Sequence, residues 1–248
     1  MKERGMIFNG EMTRAILDGR KTQTRRIMKV QPKPCNHENW PDYSPDPQWK
    51  SYPSGWCCAV CNNGTTIDHR HHAKGITCPY GTVGDRIWVR ETFRVHSRAT
   101  DVATLVYKAS VRNSWTEQTH RVPVSVCNKP ATPEKWTPSL HMPRWASRIL
   151  LEITDVRVER LNAISEEDAQ SEGVHTEVWD QTVVARNYAA IDEFFQFWTE
   201  DMPHYVEMNQ LYRSSFRSLW ESIYGAENWQ ANPWVWVIEF KRVQGGAA

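Results

Sequence analysis

The chain has 248 residues, 40% of them hydrophobic, which is enough for one large domain or two small ones. Its formal net charge of +1 argues against a surface generally built for polyanions, although local basic patches are compatible with it. No apolar run approaches the roughly 18–20 residues that cross a bilayer, and the first residues lack the apolar stretch of a signal peptide. We therefore expect a cytoplasmic protein with no membrane partner.

A short helix is predicted near the start of the chain. Met12, Ala15 and Ile16 fall at i, i+3 and i+4, which indicates one apolar stripe. Asn9 is a typical N-cap, and Gly19 is expected to end the helix because glycine enters the left-handed conformation at low cost.

A basic motif follows this helix and contains Lys21, Thr22, Thr24, Arg25 and Arg26. Residues two apart share a face of an extended chain, so Thr22, Thr24 and Arg26 would lie together if the motif is a strand. Two hydroxyls and a guanidinium on one face suit an anion or a carbonyl oxygen. The alternative interpretation is a solvated basic turn.

Glu172 is predicted at the end of a second short helix. Ser165 is a favourable N-cap followed by acidic residues, and Gly173 stops the helix after roughly two turns. The carboxylate of Glu172 would then face the negative end of the helix dipole, which disfavours its charged form. It is either a proton donor or a solvated glutamate at a helix end.

Strands account for most of the remaining regular structure. Alternating apolar residues predict strands at Arg86–Phe93, with Glu91 on the inner face, and at Trp234–Lys241. The strongest signal is Arg148–Leu161, with a bulge or bend near Asp155. Another strand is expected around Thr104–Ala109. Together with a final helix that ends at Gly225, this pattern favours an α+β fold with a small barrel or curled sheet.

Three segments are predicted to be insertions in a single domain spanning residues 1–248: about 31–80, 110–144 and 174–208. The second reads as a long loop. The third is expected to contain an amphipathic helix around Ile191–Phe197.

The first insertion holds five of the six cysteines and lacks hydrophobic periodicity. Without an export signal, cysteines favour free thiols or a metal over disulfides. Cys58 and Cys61 have the two-residue gap that lets two thiolates reach one tetrahedral ion. Cys35 and Cys78 are the best candidates to complete the site, and His69, His71 and His72 offer nitrogen ligands as alternatives. The interpretation is a structural zinc site, and the alternative is a loop with incidental cysteines and histidines.

The motifs together resemble the ASCH domain, a relative of the PUA-like RNA-binding barrels. The matching segments are 16–26, 84–89, 161–173 and 236–241. The amino-acid sequences of 84–91, 138–145 and 234–241 are similar to those of large ASCH proteins carried by phages and prophages. The resemblance implies a PUA-like small mixed β-barrel with peripheral helices and long loop insertions.

The resemblance also implies chemistry. Small bacterial ASCH enzymes are amidohydrolases of N4-acetylcytidine, and their Lys-Thr-x-Thr-x-Arg motif falls on Lys21, Thr22, Thr24 and Arg26. Their glutamate falls on Glu172. This assigns Lys21 as general base, Thr24 as nucleophile and Glu172 as general acid, with no cofactor needed for catalysis.

Further substrate contacts are expected on the same basis. Thr22 would belong to the binding surface, Arg26 and Arg90 would hold substrate oxygens, and Trp88 or Trp145 would stack on a base. The partner would be a modified nucleoside or RNA. The alternative function is an RNA-binding or RNA-cleaving module, since this chain is more than twice the size of the small enzymes and fold alone does not select chemistry.

Overall fold

The structure, a computed structural model, describes residues 1–32, 49–52, 55–58, 75–111, 113–179, 182–190, 193–196 and 210–243. The helices are α1 (Gly10–Leu17), α2 (Trp115–Gln118), α3 (Glu166–Ser171), α4 (Leu211–Tyr224) and α5 (Ala226–Gln230). The strands are β1 (Glu3–Ile7), β2 (Gln23–Ile27), β3 (Trp49–Tyr52), β4 (Gly55–Cys58), β5 (Arg86–Arg90), β6 (Phe93–Arg98), β7 (Val102–Tyr107), β8 (Thr119–Pro123), β9 (Leu150–Arg160), β10 (Thr176–Trp179), β11 (Thr182–Asn187), β12 (Glu193–Gln196) and β13 (Trp234–Val243). The expected α+β class is confirmed. None of the described helices has the length and apolar character needed to cross a membrane.

A five-stranded sheet of order β1-β5-β9-β13-β2 forms the centre of the protein. The three strands with the clearest sequence patterns lie side by side in it as β5, β9 and β13. β1 runs parallel to β5 and the other pairs are antiparallel. The register between β9 and β13 shifts between Glu239 and Phe240, opposite Asp155, where the sequence predicts a bulge.

The predicted barrel does not close through strand pairing in the described residues. β1 and β2 are the edges of the sheet, and α1 connects them. These two edges are connected by a side chain and not by hydrogen bonds between strands. The Arg26 guanidinium donates to the Ile7 carbonyl at 2.9 Å and lies 5.2 Å from the centre of the Phe8 ring.

Three smaller sheets surround the central one: β6-β7-β8, β10-β11-β12 and the β3-β4 hairpin. Two sequence predictions are wrong here. β8 lies in the segment predicted as a long loop, and β12 replaces the helix expected around Ile191–Phe197, as far as that segment is described. In both cases pairing with a neighbouring strand, β7 or β11, determines the conformation. β1 also had no sequence prediction.

The predicted helix ends are confirmed. The Asn9 side chain accepts from the Met12 N–H, and Ser165 accepts from the Asp168 N–H. Gly19, with φ of 76°, and Gly225, with φ of 86°, adopt the left-handed conformation after α1 and α4.

α3 and α4 are connected through one carboxylate. The two oxygens of Glu166 accept hydrogen bonds from the backbone N–H groups of Tyr212 and Arg213, at 2.8 and 3.0 Å. These N–H groups belong to the first turn of α4, which has no partner for them within the helix. Glu166 therefore caps α4 from a different element.

A buried ion pair connects the central sheet with the β6-β7-β8 sheet. Glu91, just after β5, accepts two hydrogen bonds from Arg148, at 2.9 and 3.0 Å, and is 2% exposed. The guanidinium lies 4.0 Å from the centre of the Tyr107 ring on β7. Burial raises the pKa of Glu91, while Arg148 opposes that change. The charge that the sequence predicts on the inner face of this strand is therefore a paired group.

Asp85 anchors β1 beside β5, and its loss should destabilise the protein in a pH-dependent way. Its carboxylate accepts from the Lys2 backbone N–H at 2.7 Å and from Arg4 at 3.1 Å, and these bonds, the first above all, hold the pKa of Asp85 below its usual range. A carboxyl group whose pKa is lower in the folded state than in the unfolded state stabilises the fold at pH values above the unfolded-state pKa. This contribution to the unfolding free energy is lost as the pH falls through the folded-state pKa.

We expect Asp85→Asn to lower the unfolding free energy by about 1 kcal/mol at pH 7, and the difference from the unaltered protein to shrink as pH falls towards 3. Urea unfolding at both pH values measures this. Asp101→Asn, at an exposed position, is the control. A difference that stays constant with pH would contradict the assignment.

Candidate active site

Lys21 and Glu172 meet in the interior although 151 positions separate them. The Lys21 amine donates to the Glu172 backbone carbonyl at 2.8 Å and to its carboxylate at 2.7 Å. Both residues are almost fully buried, at 2% and 3% exposure. The two backbones also form an isolated β-bridge, so main chain and side chain fix the contact together.

Glycine at position 173 makes this approach possible. Gly173 follows α3 in the left-handed conformation, with φ of 81°. A Cβ placed there would lie 2.6 Å from the Cβ of Lys21 and 2.9 Å from that of Ala15, closer than side chains tolerate. The turn after α3 therefore packs directly on the start of the basic motif.

Arg25 organises the charges behind this pair. Its guanidinium is buried and bonds three carboxylates: Glu172 at 3.3 Å, Asp168 at 2.7 Å and Glu159 at 3.1 Å. Arg157 on β9 also binds Asp168, at 2.8 Å. Acidic residues of α3 and β9 thus compensate the basic residues that β2 carries inward, as buried charges require.

Arg25 has no role predicted from the sequence. One signal was present, because Asp168 and Glu172 are four residues apart and therefore share a face of α3. Their common partner could not be identified from spacing, since Arg25 lies more than 140 positions away.

A cavity of about 230 Å³ opens beside this network. Its polar lining consists of Asn9, Thr24, Arg25, Arg26 and Glu172. Its apolar lining consists of Ile7 and Met12 together with Phe216, Leu219, Trp220, Ile223 and Tyr224 of α4 and its C-terminal turn. Thr24 and Glu172 therefore line the same cavity, and Lys21 is connected to it through its bond to Glu172.

The surroundings of Lys21 favour its neutral form. Burial of the amine lowers the pKa of Lys21, and the nearby charges of Arg26 and Arg25 act in the same direction. The attraction of the Glu172 carboxylate opposes these effects without overcoming them. A lysine with a lowered pKa is a stronger candidate for a general base than an ordinary surface lysine.

The other residues expected to contact the substrate are not among those that line this cavity. Thr22 is exposed, and its backbone bonds Ser171 and Phe240. Trp88 covers Gly5 of β1, where an added Cβ would lie 2.6 Å from the indole. Thr22 and Trp88 thus do not line the cavity that Arg26 lines, and their contact with a substrate stays a prediction.

Arg90 and Trp145 also lie elsewhere. Arg90 donates to the carbonyls of Ser139 and Leu140, and its guanidinium lies 5.4 Å from the centre of the Trp88 ring. Trp145 packs edge-on against Phe93 at 6.3 Å, in the core of the β6-β7-β8 sheet. Both are held by contacts within the protein, which explains their positions without a ligand.

The predicted zinc site falls mostly outside the described residues. Cys35 and Cys61 are not described, and of Cys58 only the backbone is, in β4. Cys78 is buried against the core of the central sheet, and burial raises the pKa of its thiol. In the described part of the chain no cluster of three metal-binding side chains is found. Zinc binding stays a prediction.

The close packing at Gly173 can be tested against a matched glycine. We expect Gly19→Ala, where no atom lies within 4 Å of the added Cβ, to lose about 1–2 kcal/mol of unfolding free energy from left-handed strain alone. Gly173→Ala should lose more, because its Cβ also displaces Lys21. Urea unfolding of both variants measures the difference. Equal losses would show that the packing on Lys21 contributes nothing.

Comparisons of the chain with protein-family models, with curated proteins and with solved structures found no match. The likeness to ASCH domains therefore rests on the sequence motifs themselves.

Proposed function

We propose that the protein is an amidohydrolase of an acylated pyrimidine nucleoside or related modified base, built on a PUA-like ASCH domain. One observation carries the proposal: Glu172 bonds the buried amine of Lys21 at 2.7 Å and lines the same cavity as Thr24. An amine, a hydroxyl and a carboxyl can supply the base, the nucleophile and the acid for acyl transfer from nitrogen. The motifs shared with ASCH amidohydrolases fall on these three residues.

Thr24 is the nucleophile in the proposed reaction. Its Oγ attacks the acyl carbon, and its proton passes to the neutral amine of Lys21. The C–O bond to Thr24 forms as the carbonyl becomes a tetrahedral oxyanion. Arg26, which lines the cavity, is the cation available to stabilise that charge.

Glu172 supplies the proton for the leaving group. As the C–N bond breaks, the exocyclic nitrogen of the base takes a proton from the Glu172 carboxyl and departs as an amine. Water then attacks the threonine ester, which releases the carboxylic acid and restores the hydroxyl. The 2.7 Å contact between the amine and the carboxyl allows a proton to move from one to the other, so the pair returns to its starting state.

The lining of the cavity fits a flat, weakly polar substrate. α4 contributes Phe216, Trp220 and Tyr224, whose rings offer surfaces for a pyrimidine or an acyl chain. The polar groups come from β2, from the turn after α3 and from Asn9 at the start of α1. This is the usual arrangement of a small-molecule site, in which apolar walls bury the ligand and a few polar groups orient it.

Thr24 and Thr22 give a matched test of the nucleophile. Thr24→Ala should abolish hydrolysis of N4-acetylcytidine while leaving folding nearly intact, because only a hydroxyl and a methyl group are removed. Thr22→Ala removes the same two groups from the same motif outside the cavity and should keep full activity. Chromatographic separation of cytidine from the acetylated nucleoside measures both. Full activity of Thr24→Ala would overturn the proposal and favour the RNA-binding interpretation.

The role of Lys21 predicts a pH dependence. The base must be neutral, so kcat/KM should rise with pH through the pKa of Lys21, which lies below that of an ordinary lysine. Lys21→Met should reduce turnover on the order of 10²-fold or more and remove this rise. Lys29→Met, at an exposed position, is the control. A rise that persists in Lys21→Met would assign the titration to another group.

A further inference from the structure

A second cavity, unrelated to the catalytic one, lies beside β6. It has a volume of about 300 Å³, at the lower end of the range of roughly 300–1,000 Å³ typical of ligand sites. Its lining includes Lys129, Lys135, Trp136 and His141. We call it the β6 groove. It shares no lining residue with the catalytic cavity.

The β6 groove is held in shape by backbone bonds. The loop that forms it is attached to β6 at two places, where Thr132 donates to Val95 at 2.8 Å and Thr137 donates to Phe93 at 2.7 Å. Between them, Lys135 donates to the Thr132 carbonyl at 3.1 Å and closes a turn. The cationic and aromatic side chains therefore lie on a loop that is already ordered. Ligand binding does not have to order this loop.

The aromatic side of the groove is a single indole. Trp136 is half-buried and lines the cavity, and the guanidinium of Arg94 lies 4.6 Å from the centre of its ring. Arg94 holds the indole in place, and the ring surface that remains accessible forms part of the groove. Such a surface is suited to stacking by a planar base.

The charge around the groove is strongly one-sided. Residues 94–98 and 129–141 carry Arg94, Arg98, Lys129 and Lys135, against the single acid Glu134. The whole chain has a net charge of only +1, so the rest of the sequence is slightly acidic. An anionic ligand would therefore be directed to this face in preference to others.

We propose that the β6 groove binds single-stranded nucleic acid, with one base stacked on Trp136 and the neighbouring phosphates on Lys129 and Lys135. Stacking needs no particular base and the lysines contact only phosphates, so binding is expected to be largely independent of sequence. The proposal is independent of the amidohydrolase activity. The β6 groove would bind a nucleic-acid strand at a site separate from the cavity in which a single modified base would react.

Fluorescence anisotropy with a labelled single-stranded RNA decamer, repeated at several salt concentrations, tests the proposal. Trp136→Ala should weaken binding roughly tenfold and leave the salt dependence unchanged. Lys135→Ala should weaken binding and reduce the slope of log K against log salt by about 0.7, the value for one phosphate contact of a single strand. Trp136→Phe, which keeps a ring, should retain most of the affinity and guards against misfolding of the alanine variant.

Matched controls lie outside the groove. Trp115 and Lys108 are exposed on other elements, and Trp115→Ala and Lys108→Ala should bind like the unaltered protein. Thr24→Ala should also bind normally, which separates this proposal from the catalytic one.

Three results would overturn the proposal. The first is no measurable binding of the decamer, and the second is binding by Trp136→Ala and Lys135→Ala as tight as that of the unaltered protein. The third is competition by a nucleoside monophosphate or a duplex that is as effective as competition by the unlabelled decamer.

Discussion

The buried contact between Lys21 and Glu172 is the interaction on which the rest of the site depends. Two opposite charges in a protein interior each lose several kcal/mol of hydration, which only close pairing offsets. Arg25 completes the compensation by bonding the second carboxylate oxygen of Glu172. Removal of one member of such a network typically costs about 3–5 kcal/mol, because the partner is left buried and unpaired. The geometry of the candidate site and the stability of the protein therefore depend on the same few atoms.

This coupling also accounts for the direction in which the Lys21 pKa moves. An ion pair alone would raise the pKa of a lysine, and a solvent-exposed Lys–Glu pair would be catalytically inert. Here the loss of hydration and the like charges of Arg25 and Arg26 outweigh the attraction of Glu172. The Lys21 amine therefore gives up its proton more readily than an exposed lysine does.

The sequence predicts the local parts of the fold well. The caps at Asn9 and Ser165, the turn at Gly225 and the strands β5, β9 and β13 follow from patterns that span a few residues. β12 and β8 were missed because a neighbouring strand decides their conformation. The central sheet stayed open for a similar reason, since the edge contact is made by the side chain of Arg26, whose partner Ile7 no spacing rule identifies.

The candidate site divides in the same way. The structure brings Lys21 into contact with Glu172 and places Glu172 and Thr24 on one cavity, while their catalytic roles stay a prediction. Trp88 and Trp145 pack against other parts of the protein and do not line that cavity, since an indole serves a core as readily as a ligand. The apolar wall from α4 could not be predicted, because nothing in the sequence of that helix indicates which cavity it covers.

α3 gives this arrangement a mechanical property. Within a few residues it supplies Glu166, which caps α4, Asp168, which binds Arg25, and the turn that carries Glu172. The helix that lines one side of the cavity and the carboxyl that bonds Lys21 are thus both attached to α3. A displacement of α3 would therefore shift the α4 side of the cavity and the Lys21–Glu172 contact at the same time.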